Sequence, residues 1–183
     1  MKNLIIVRHC LADGQHKDSP LTDVGMRQAH LLSVFLAENE FAIDKIISSP
    51  YLRAIESIRP YAEKKDLTIN TDDRLQERIL SNEPVDDWME VLEQSFSDPN
   101  FRLPGGESGN DVMKRTNELI NNLRSEPDIS NVLLVSHGNL IALLLSRFNP
   151  DFGFEGWKNL QNPDVFLINL EEKNHIVKSL WSN

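Results

Sequence analysis

The sequence has little of what disulfide-bonded or membrane-spanning proteins need. Cys10 is the one cysteine among 183 residues, so the chain cannot form an internal disulfide, nor a structural zinc site by itself. No apolar run approaches the roughly 20 residues of a membrane-spanning helix. The run nearest the N-terminus, residues 4–7, is also too short for a signal peptide. We therefore expect a cytoplasmic protein with no membrane partner.

Basic residues are scarce as well. The chain carries 19 Lys and Arg against 28 Asp and Glu, a formal net charge of −9, which gives no electrostatic support for nucleic-acid binding. Much of the acidic excess lies between Ser81 and Asn110, where Arg102 is the only basic residue. Two interpretations stay open for this segment: a solvated face that aids solubility, or an acidic lid that repels large polyanionic substrates.

Several catalytic signatures are missing. The chain has no Gly-x-x-x-x-Gly-Lys sequence, which excludes the usual phosphate-binding loop for nucleoside triphosphates. A tyrosine-phosphatase motif starting at Cys10 would need arginine at position 16, which holds His16. The histidines show no His-x-x-x-His spacing, and so we predict no metal and no other cofactor.

Short apolar runs at residues 4–7, 46–47 and 132–135 alternate with helical patterns. This alternation favours βα units, a mainly parallel sheet and a single α/β domain over residues 1–183. Residues 165–169 and 176–180 are predicted as two terminal strands joined by a turn at 172–174. At least one of them is expected to run antiparallel at the sheet edge.

Helix starts are marked by capping residues. Thr22 is predicted to cap a first helix, Ser49 followed by Pro50 to open a second, and Ser108 with Asp111 to open a later one. Residues 138–148 resemble a buried helix, and a short amphipathic helix is predicted around residues 88–96. The predicted core faces are Val24, Leu31, Leu32, Phe35 and Leu36 in the first helix, and Leu52, Ile55, Ile58 and Ala62 in the second.

Residues that can bind or transfer phosphate follow three of the apolar runs. Arg8 and His9 end the first, Arg53 lies just beyond the second, and His137 with Gly138 ends the third. In an open α/β sheet, ligands bind outside the carboxyl ends of the strands. Each of these residues alone also has an ordinary structural explanation, but their joint occurrence predicts one phosphoryl site.

The residue types suit distinct roles at such a site. Guanidinium groups match phosphate geometry and stay charged, which fits Arg8 and Arg53. An imidazole held by one ring nitrogen can attack phosphorus with the other, which fits His9, while His137 could donate to the phosphoryl oxygens. A leaving alkoxide needs a proton, and Glu77 is the candidate donor.

At this point the sequence resembles a known family, the histidine phosphatase superfamily of phosphoglycerate-mutase-like proteins. The resemblance implies a three-layer mixed sheet with helices on both faces and a covalent phosphohistidine. It assigns the nucleophile to His9, phosphate contacts to Arg8, Arg53 and His137, and proton donation to Glu77. The motifs that carry it are Arg8-His9, Leu21-Thr22-Asp23-Val24-Gly25-Met26-Arg27-Gln28-Ala29, Ser48-Ser49-Pro50-Tyr51-Leu52-Arg53-Ala54, Arg74-Leu75-Gln76-Glu77-Arg78, Gly105-Gly106-Glu107-Ser108 and Ser136-His137-Gly138-Asn139.

Some positions depart from the family pattern. The resemblance places glycine after the Arg-His pair, often followed by an acidic or amide residue, where this chain has Cys10 and Leu11. We expect Cys10 to fit because it is small, with redox inactivation as an open alternative. Gln15 falls where many members have an asparagine that touches phosphate, and Asn139 could contribute a backbone N–H.

The composition of the segment at about 78–107 distinguishes a mutase from a phosphatase. Related mutases carry an arginine-rich insert here for a second anionic arm, whereas this chain has the acidic stretch and Arg102, with Arg78 as a further candidate substrate contact. We therefore predict a lid-like insertion and a phosphatase of the histidine acid phosphatase type, acting on a small phosphomonoester. A mutase, a phosphoprotein phosphatase, a catalytically weak phosphate-binding scaffold, and a monomeric or homodimeric state all stay open.

Overall fold

A six-stranded sheet forms the centre of the computed structural model, which describes residues 1–39, 41–150, 152–171 and 177–181. The strand order is β3-β2-β4-β1-β5-β6. The first four strands in the chain run parallel, β5 pairs antiparallel with β1, and β6 pairs antiparallel with β5. The strands are β1 Asn3–Arg8, β2 Lys45–Ser48, β3 Ile69–Thr71, β4 Asn131–Ser136, β5 Asp164–Asn169 and β6 Val177–Ser179.

Helices cover both faces of this sheet. The helices are α1 Asp23–Glu38, α2 Leu52–Lys65, α3 Trp88–Ser97, α4 Gly109–Arg124, α5 Gly138–Ser146 and α6 Phe154–Lys158. Successive side chains of a strand point to opposite faces, and β1 divides accordingly: Leu4 and Ile6 join a core with α4 and α5, while Ile5 and Val7 join one with α1 and α2. The predicted three-layer, mostly parallel α/β fold is confirmed.

The buried face of α1 differs from the predicted one. Thr22 caps the helix as expected, accepting a hydrogen bond from the Gly25 N–H. Val24 and Leu31, however, are 44% and 61% exposed, so their assignment to the core was wrong. Leu32 and Leu36 are fully buried as predicted, and α1 packs against α2. The residues buried on α1 are Gly25, Ala29, Leu32, Ser33 and Leu36.

The start of α2 was also predicted wrongly. Tyr51 occupies the N-cap and Leu52 is the first helical residue, two positions beyond Ser49 and Pro50. Ser49 lies before the helix: its hydroxyl accepts from the Tyr51 N–H at 3.3 Å and is hydrogen-bonded to His137 Nε2 at 2.7 Å. Its own N–H donates to the Val135 carbonyl. Leu52 and Ile55 are only partly buried, whereas Ile58 and Ala62 lie in the core as predicted.

Other expectations match the structure closely. Ser108 and Asp111 form a complete capping box at the start of α4, α5 is buried along nearly its whole length, and the antiparallel edge strand is β6. The predicted turn at 172–174 lies outside the described residues. The short strand β3, a 3₁₀ turn at Asp73–Leu75 and helix α6 were not predicted. Within the described ranges, no helix is long and apolar enough to cross a membrane.

A substitution at Gly25 tests the packing of α1. A Cβ atom there would lie 1.9 Å from the Leu11 carbonyl oxygen, so we predict that Gly25→Ala lowers the free energy of unfolding by about 1–3 kcal/mol. Gly109→Ala is the matched control, because its Cβ would meet only ordinary contacts of 3.5 Å or more. Urea unfolding measures both variants, and equal midpoints would contradict the close approach.

Candidate active site

The carboxyl ends of β2, β4 and β1 lie side by side and nearly level. Arg8 pairs with Ser136 in the register of β1 and β4, and Ser48 pairs with Val135 in that of β2 and β4. The residues that follow these strands therefore meet at one edge of the sheet. His9 and His137 have ring centroids 5.0 Å apart.

His9 has two differently placed ring nitrogens. Nδ1 lies 2.7 Å from the Cys10 carbonyl oxygen, which can only accept, so Nδ1 carries the proton. Nε2 accepts a hydrogen bond from Arg53 Nε at 3.3 Å. Burial, together with the charges of Arg53 and Arg8, lowers the pKa of His9 to about 3, against the opposing effect of the Cys10 bond. The imidazole is therefore neutral, with the Nε2 lone pair directed at the arginine.

Arg53 is held beside His9 by backbone oxygens. Its Nη1 donates to the carbonyls of Gln15 and His16, at 3.2 and 2.8 Å. The side chain is 1% exposed, and its guanidinium carbon lies 4.9 Å from the centre of the Tyr51 ring. Burial lowers the pKa of Arg53, but arginine remains protonated in proteins, so a fixed positive charge faces His9 Nε2.

Arg8 offers a donor without a protein acceptor. Its Nη1 donates to the Leu160 carbonyl at 2.7 Å, whereas its buried Nε has no hydrogen-bond partner among the described residues. The guanidinium lies against Gly138, where a Cβ atom would be 3.2 Å from Arg8 Nη2. An unpaired buried donor costs stability unless a ligand satisfies it, and a charged guanidinium favours an anionic ligand.

His137 is similar in having one engaged and one unpaired nitrogen. Nε2 is hydrogen-bonded to Ser49 Oγ at 2.7 Å, and the buried Nδ1 has no partner in the part of the chain described. Burial, with the neighbouring His9, Arg53 and Arg8, lowers the pKa of His137 well below its ordinary value. Its ring packs edge to face on Tyr51, at 4.9 Å between centroids.

Glu77 sits at the N-terminus of α5. Its carboxylate accepts from the backbone N–H groups of Arg78 at 2.9 Å, and of Asn139 and Leu140 at 3.2 Å. Burial raises the pKa of Glu77, while these donors and the charge of Arg8 act in the opposite direction. A carboxyl with a raised pKa can hold a proton at higher pH than a solvated glutamate can, which is what a general acid requires.

These groups open into one cavity of about 730 Å³. His9 and His137 are not in its lining but are buried next to lining residues, His9 in contact with Arg53 and His137 with Tyr51. The cavity is lined by Arg8, Gln15, Tyr51, Arg53, Glu77, Arg78, Ile79, Leu80, Ser81, Glu83, Val85, Trp88, Gly138, Asn139 and Trp157. Seven of the nine residues singled out in the sequence therefore line this cavity, and the two histidines contact lining residues.

Three of these residues have contacts that differ from their predicted ones. Arg78 is buried, and its Nε and Nη1 donate to the Glu107 carbonyl and Ser95 Oγ. The Asn139 N–H donates to Glu77, although its buried Oδ1 is unpaired in the described structure. Gln15 lines the cavity, and its carbonyl accepts from Arg53. Their roles as substrate contacts stay predictions.

Comparison with known proteins agrees with this arrangement. The model of the histidine phosphatase superfamily (branch 1) matches residues 4–182. The chain belongs to this superfamily. A Yersinia pestis protein named "Probable phosphoglycerate mutase GpmB" is 35% identical over 137 residues, which are 70% of this chain and 63% of that protein. The matched region is thus less than two thirds of the relative's length.

Solved structures of other histidine phosphatases share the fold. A mycobacterial glucosyl-3-phosphoglycerate phosphatase superposes with a TM-score of 0.76 at 23% identity, with 97% of each chain covered. The alpha-ribazole phosphatase from Shigella flexneri gives 0.74 at 22% identity, with 98% of this chain and 96% of that chain covered. At these identities the likeness concerns the fold.

Sequence reasoning missed the side chains that hold the loop carrying Glu77 in this member of the superfamily. Arg115 on α4 pairs with Glu107 at 2.8 Å and donates to the carbonyls of Arg74 and Gln76. Glu107 in turn accepts from the Ile79 N–H. Glu107 belongs to a motif that the resemblance includes, but nothing near Arg115 in the sequence marks it, because its partners are brought together by the fold.

Cys10 is unsuited to redox control. It is fully buried, its N–H donates to Ser57 Oγ at 2.8 Å, and burial raises the pKa of its thiol to about 12. Oxidation requires an accessible thiolate, so the alternative of redox inactivation has no support. Within the described ranges, no group of three or more His, Cys, Asp or Glu side chains could hold a metal ion.

The ionisation of His9 is directly measurable. Because burial and two arginines hold its pKa at about 3, we predict that the ring stays neutral and protonated on Nδ1 from about pH 5 to about pH 8. Nitrogen-15 NMR of the imidazoles would show this, with the His9 resonance assigned by its loss in His9→Asn. A His9 resonance that titrates near the ordinary histidine pKa would contradict the described environment.

Proposed function

We propose that this histidine phosphatase is a metal-independent hydrolase of small phosphomonoesters that acts through a phosphohistidine on His9. The observation that carries the proposal is the neutral His9 imidazole, whose Nε2 faces Arg53 Nε at 3.3 Å. Among the described residues, the buried donor Arg8 Nε and the buried ring nitrogen His137 Nδ1 have no partner, which supports a phosphoryl ligand beside His9. Charge on the transferring oxygens is stabilised by positioned cations and hydrogen-bond donors.

In the first step, His9 Nε2 attacks phosphorus and forms an N–P bond while the ester P–O bond breaks. Arg8 and Arg53 balance the negative charge on the phosphoryl oxygens. The Glu77 carboxyl gives its proton to the leaving alkoxide, so an alcohol departs. The raised pKa of Glu77 supports this role, and the Cys10 carbonyl stabilises the positive charge that His9 gains at Nδ1.

In the second step, water attacks the phosphorus of the phosphohistidine. The Glu77 carboxylate, left ionised by the first step, accepts the proton of this water as the new P–O bond forms. The N–P bond breaks, inorganic phosphate leaves, and His9 returns to its neutral form. The same carboxyl therefore acts first as acid and then as base.

The cavity favours water over a second phosphorylated substrate as the acceptor. A mutase holds the other anionic arm of its substrate with additional cations, and Arg8, Arg53 and Arg78 are the cations among the described lining residues. Arg78 already binds protein acceptors. Arg102 is not in the lining and pairs with Asp111 at 3.7 Å. We further propose that residues 78–107 form a lid-like wall over a single catalytic domain.

The alternative of a catalytically weak scaffold rested on Cys10 and Leu11. Cys10 fits without displacing the site, and the side chain of Leu11 is largely exposed. The Leu11 backbone accepts from the Thr22 N–H and donates to Gln28 Oε1, which fixes the loop after His9. Neither residue occupies the cavity lining, so no specific observation favours loss of turnover.

Removal of the nucleophile tests the proposal. We predict that the wild type releases phosphate without added metal from a panel of aryl, sugar and nucleoside phosphates and phosphoglycerates. His9→Ala should lose this activity by more than about 1,000-fold, because the covalent route is closed. His30→Ala, an exposed histidine on α1, is the control and should match the wild type. Equal release by His9→Ala would overturn the proposal.

If Glu77 is the proton donor, the effect of replacing it depends on how strongly the leaving group needs a proton. Glu77→Gln should lower kcat/KM for alkyl phosphates by about 100-fold or more, and far less for an aryl phosphate whose phenol needs no proton. The wild-type rate on alkyl phosphates should fall as pH rises through the raised pKa of Glu77, and this alkaline limb should vanish in the variant. Glu90→Gln, an exposed acid on α3, serves as the control. Equal losses on both substrate types would argue against proton donation.

A further inference from the structure

Part of the cavity lining is apolar and therefore unsuited to binding phosphate. The lining has a buried charged part that includes Arg53 and Arg78. It also has a more exposed apolar part, which we call the outer half or the apolar wall: Ile79, Leu80, Val85, Trp88 and Trp157. A volume of about 730 Å³ lies within the range of pockets for drug-sized ligands. A phosphoryl group bound between Arg8 and Arg53 therefore leaves room for a sizeable leaving group against this wall.

Two tryptophans form the centre of the apolar wall. Trp88 of α3 and Trp157 of α6 meet edge to face at 6.2 Å between ring centroids. Phe154 stacks on Trp157 at 5.6 Å and contacts Phe96 of α3 at 6.1 Å, so the two helices are joined by aromatic packing. Trp157 packs against the hydrophobic core, which gives the wall a firm base.

Part of this wall is exposed to water. Trp88 and Ile79 are each 46% exposed, although both line the cavity. Covering apolar surface with an apolar ligand is favourable, and tryptophan additionally gains from stacking or edge contacts with another ring. The exposed face of Trp88 is thus a surface that an aromatic or apolar group would cover.

The charges of the outer half disfavour a second anion. Glu83 is the charged side chain in the outer lining, and the exposed Asp86 and Asp87 follow it. Of the lining arginines, Arg8 and Arg53 serve the phosphoryl group, and Arg78 is buried against Ser95 and the Glu107 backbone. A carboxylate or second phosphate on the leaving group would therefore meet the Glu83 carboxylate.

We infer that the preferred substrates are monoesters of uncharged aromatic or apolar alcohols, whose organic group packs on Trp88 and Trp157. The inference rests on the proposed phosphatase function and adds the class of leaving group. Trp88 and Trp157 then determine specificity, and Glu83 excludes leaving groups that carry a further negative charge.

Four substrates with alkoxide leaving groups separate ring binding from chemistry. In each of them the ester oxygen is bonded to a methyl or methylene carbon: methyl, benzyl, 2-naphthylmethyl and 4-carboxybenzyl phosphate. Since the three benzylic alcohols have similar acidity, differences in kcat/KM among them report mainly on binding of the ring. We expect 2-naphthylmethyl phosphate to exceed methyl phosphate by about tenfold or more. We expect 4-carboxybenzyl phosphate to fall below benzyl phosphate.

Variants of the wall test the same preference. Trp88→Ala should lower the ratio of kcat/KM for 2-naphthylmethyl over methyl phosphate by about tenfold, mainly through KM, and Trp88→Tyr should recover most of it. Met89→Ala removes a neighbouring side chain of α3 that is 42% exposed and outside the lining, and should leave the ratio unchanged. Glu83→Lys should raise kcat/KM for 4-carboxybenzyl phosphate relative to benzyl phosphate.

The possible outcomes distinguish failure of the inferred substrate class from failure of the proposed phosphatase function. His9-dependent hydrolysis with no preference among the four esters, with a preference for 4-carboxybenzyl phosphate, or with an unchanged ratio in Trp88→Ala would overturn the apolar substrate class alone. The phosphatase would then stand. If none of the four esters nor any of the aryl, sugar and nucleoside phosphates is hydrolysed in a His9-dependent way, the proposed function fails, and the inference fails with it.

Discussion

The site depends on how the fold holds its positive charges. In the hydrogen bonds that the structure describes, Arg8 donates to the Leu160 carbonyl and Arg53 to the carbonyls of Gln15 and His16, rather than to carboxylates. Backbone oxygens fix a guanidinium in place without neutralising it. The two charges therefore remain available to an incoming phosphate. Burial and these two charges lower the pKa of His9, which keeps its Nε2 unprotonated.

The carboxylate of Glu107 lies outside the group of phosphate-binding residues, where it stabilises the loop that carries Glu77. The Arg115–Glu107 pair connects α4 to the loop that carries Glu77, and Ser136 Oγ donates to the Leu75 carbonyl at 2.7 Å. These contacts position the Glu77 carboxyl at the N-terminus of α5. A rigid supporting shell of this kind is what a proton donor needs if it is to reach the leaving oxygen without reorganisation.

The sequence was sufficient to predict five of the six strands, because buried strands give clear apolar runs. The structure brings His9, Arg53 and His137, which come after three of these runs, close together. The sequence was not sufficient for the whole buried face of α1, because Gly25, Ala29 and Ser33 are buried beside the predicted Leu32 and Leu36, and an apolar pattern overlooks such small residues. It also misplaced the start of α2, since the partner of Ser49 is a histidine distant in sequence. The Arg115 contacts and the Trp88–Trp157 wall are likewise formed only by tertiary packing.

The central claim is that His9 becomes phosphorylated. The most direct measurement is to mix enzyme with excess benzyl phosphate and quench in alkaline denaturant, where phosphohistidine survives. The site of phosphorylation is then mapped by mass spectrometry of the peptides. The account predicts a phosphoryl group on the peptide containing His9 that appears within one turnover and accumulates in Glu77→Gln if water attack is slowed more than formation. Turnover of the ester with no phosphoryl group on His9 at any quench time, or with the label on another residue, would contradict it.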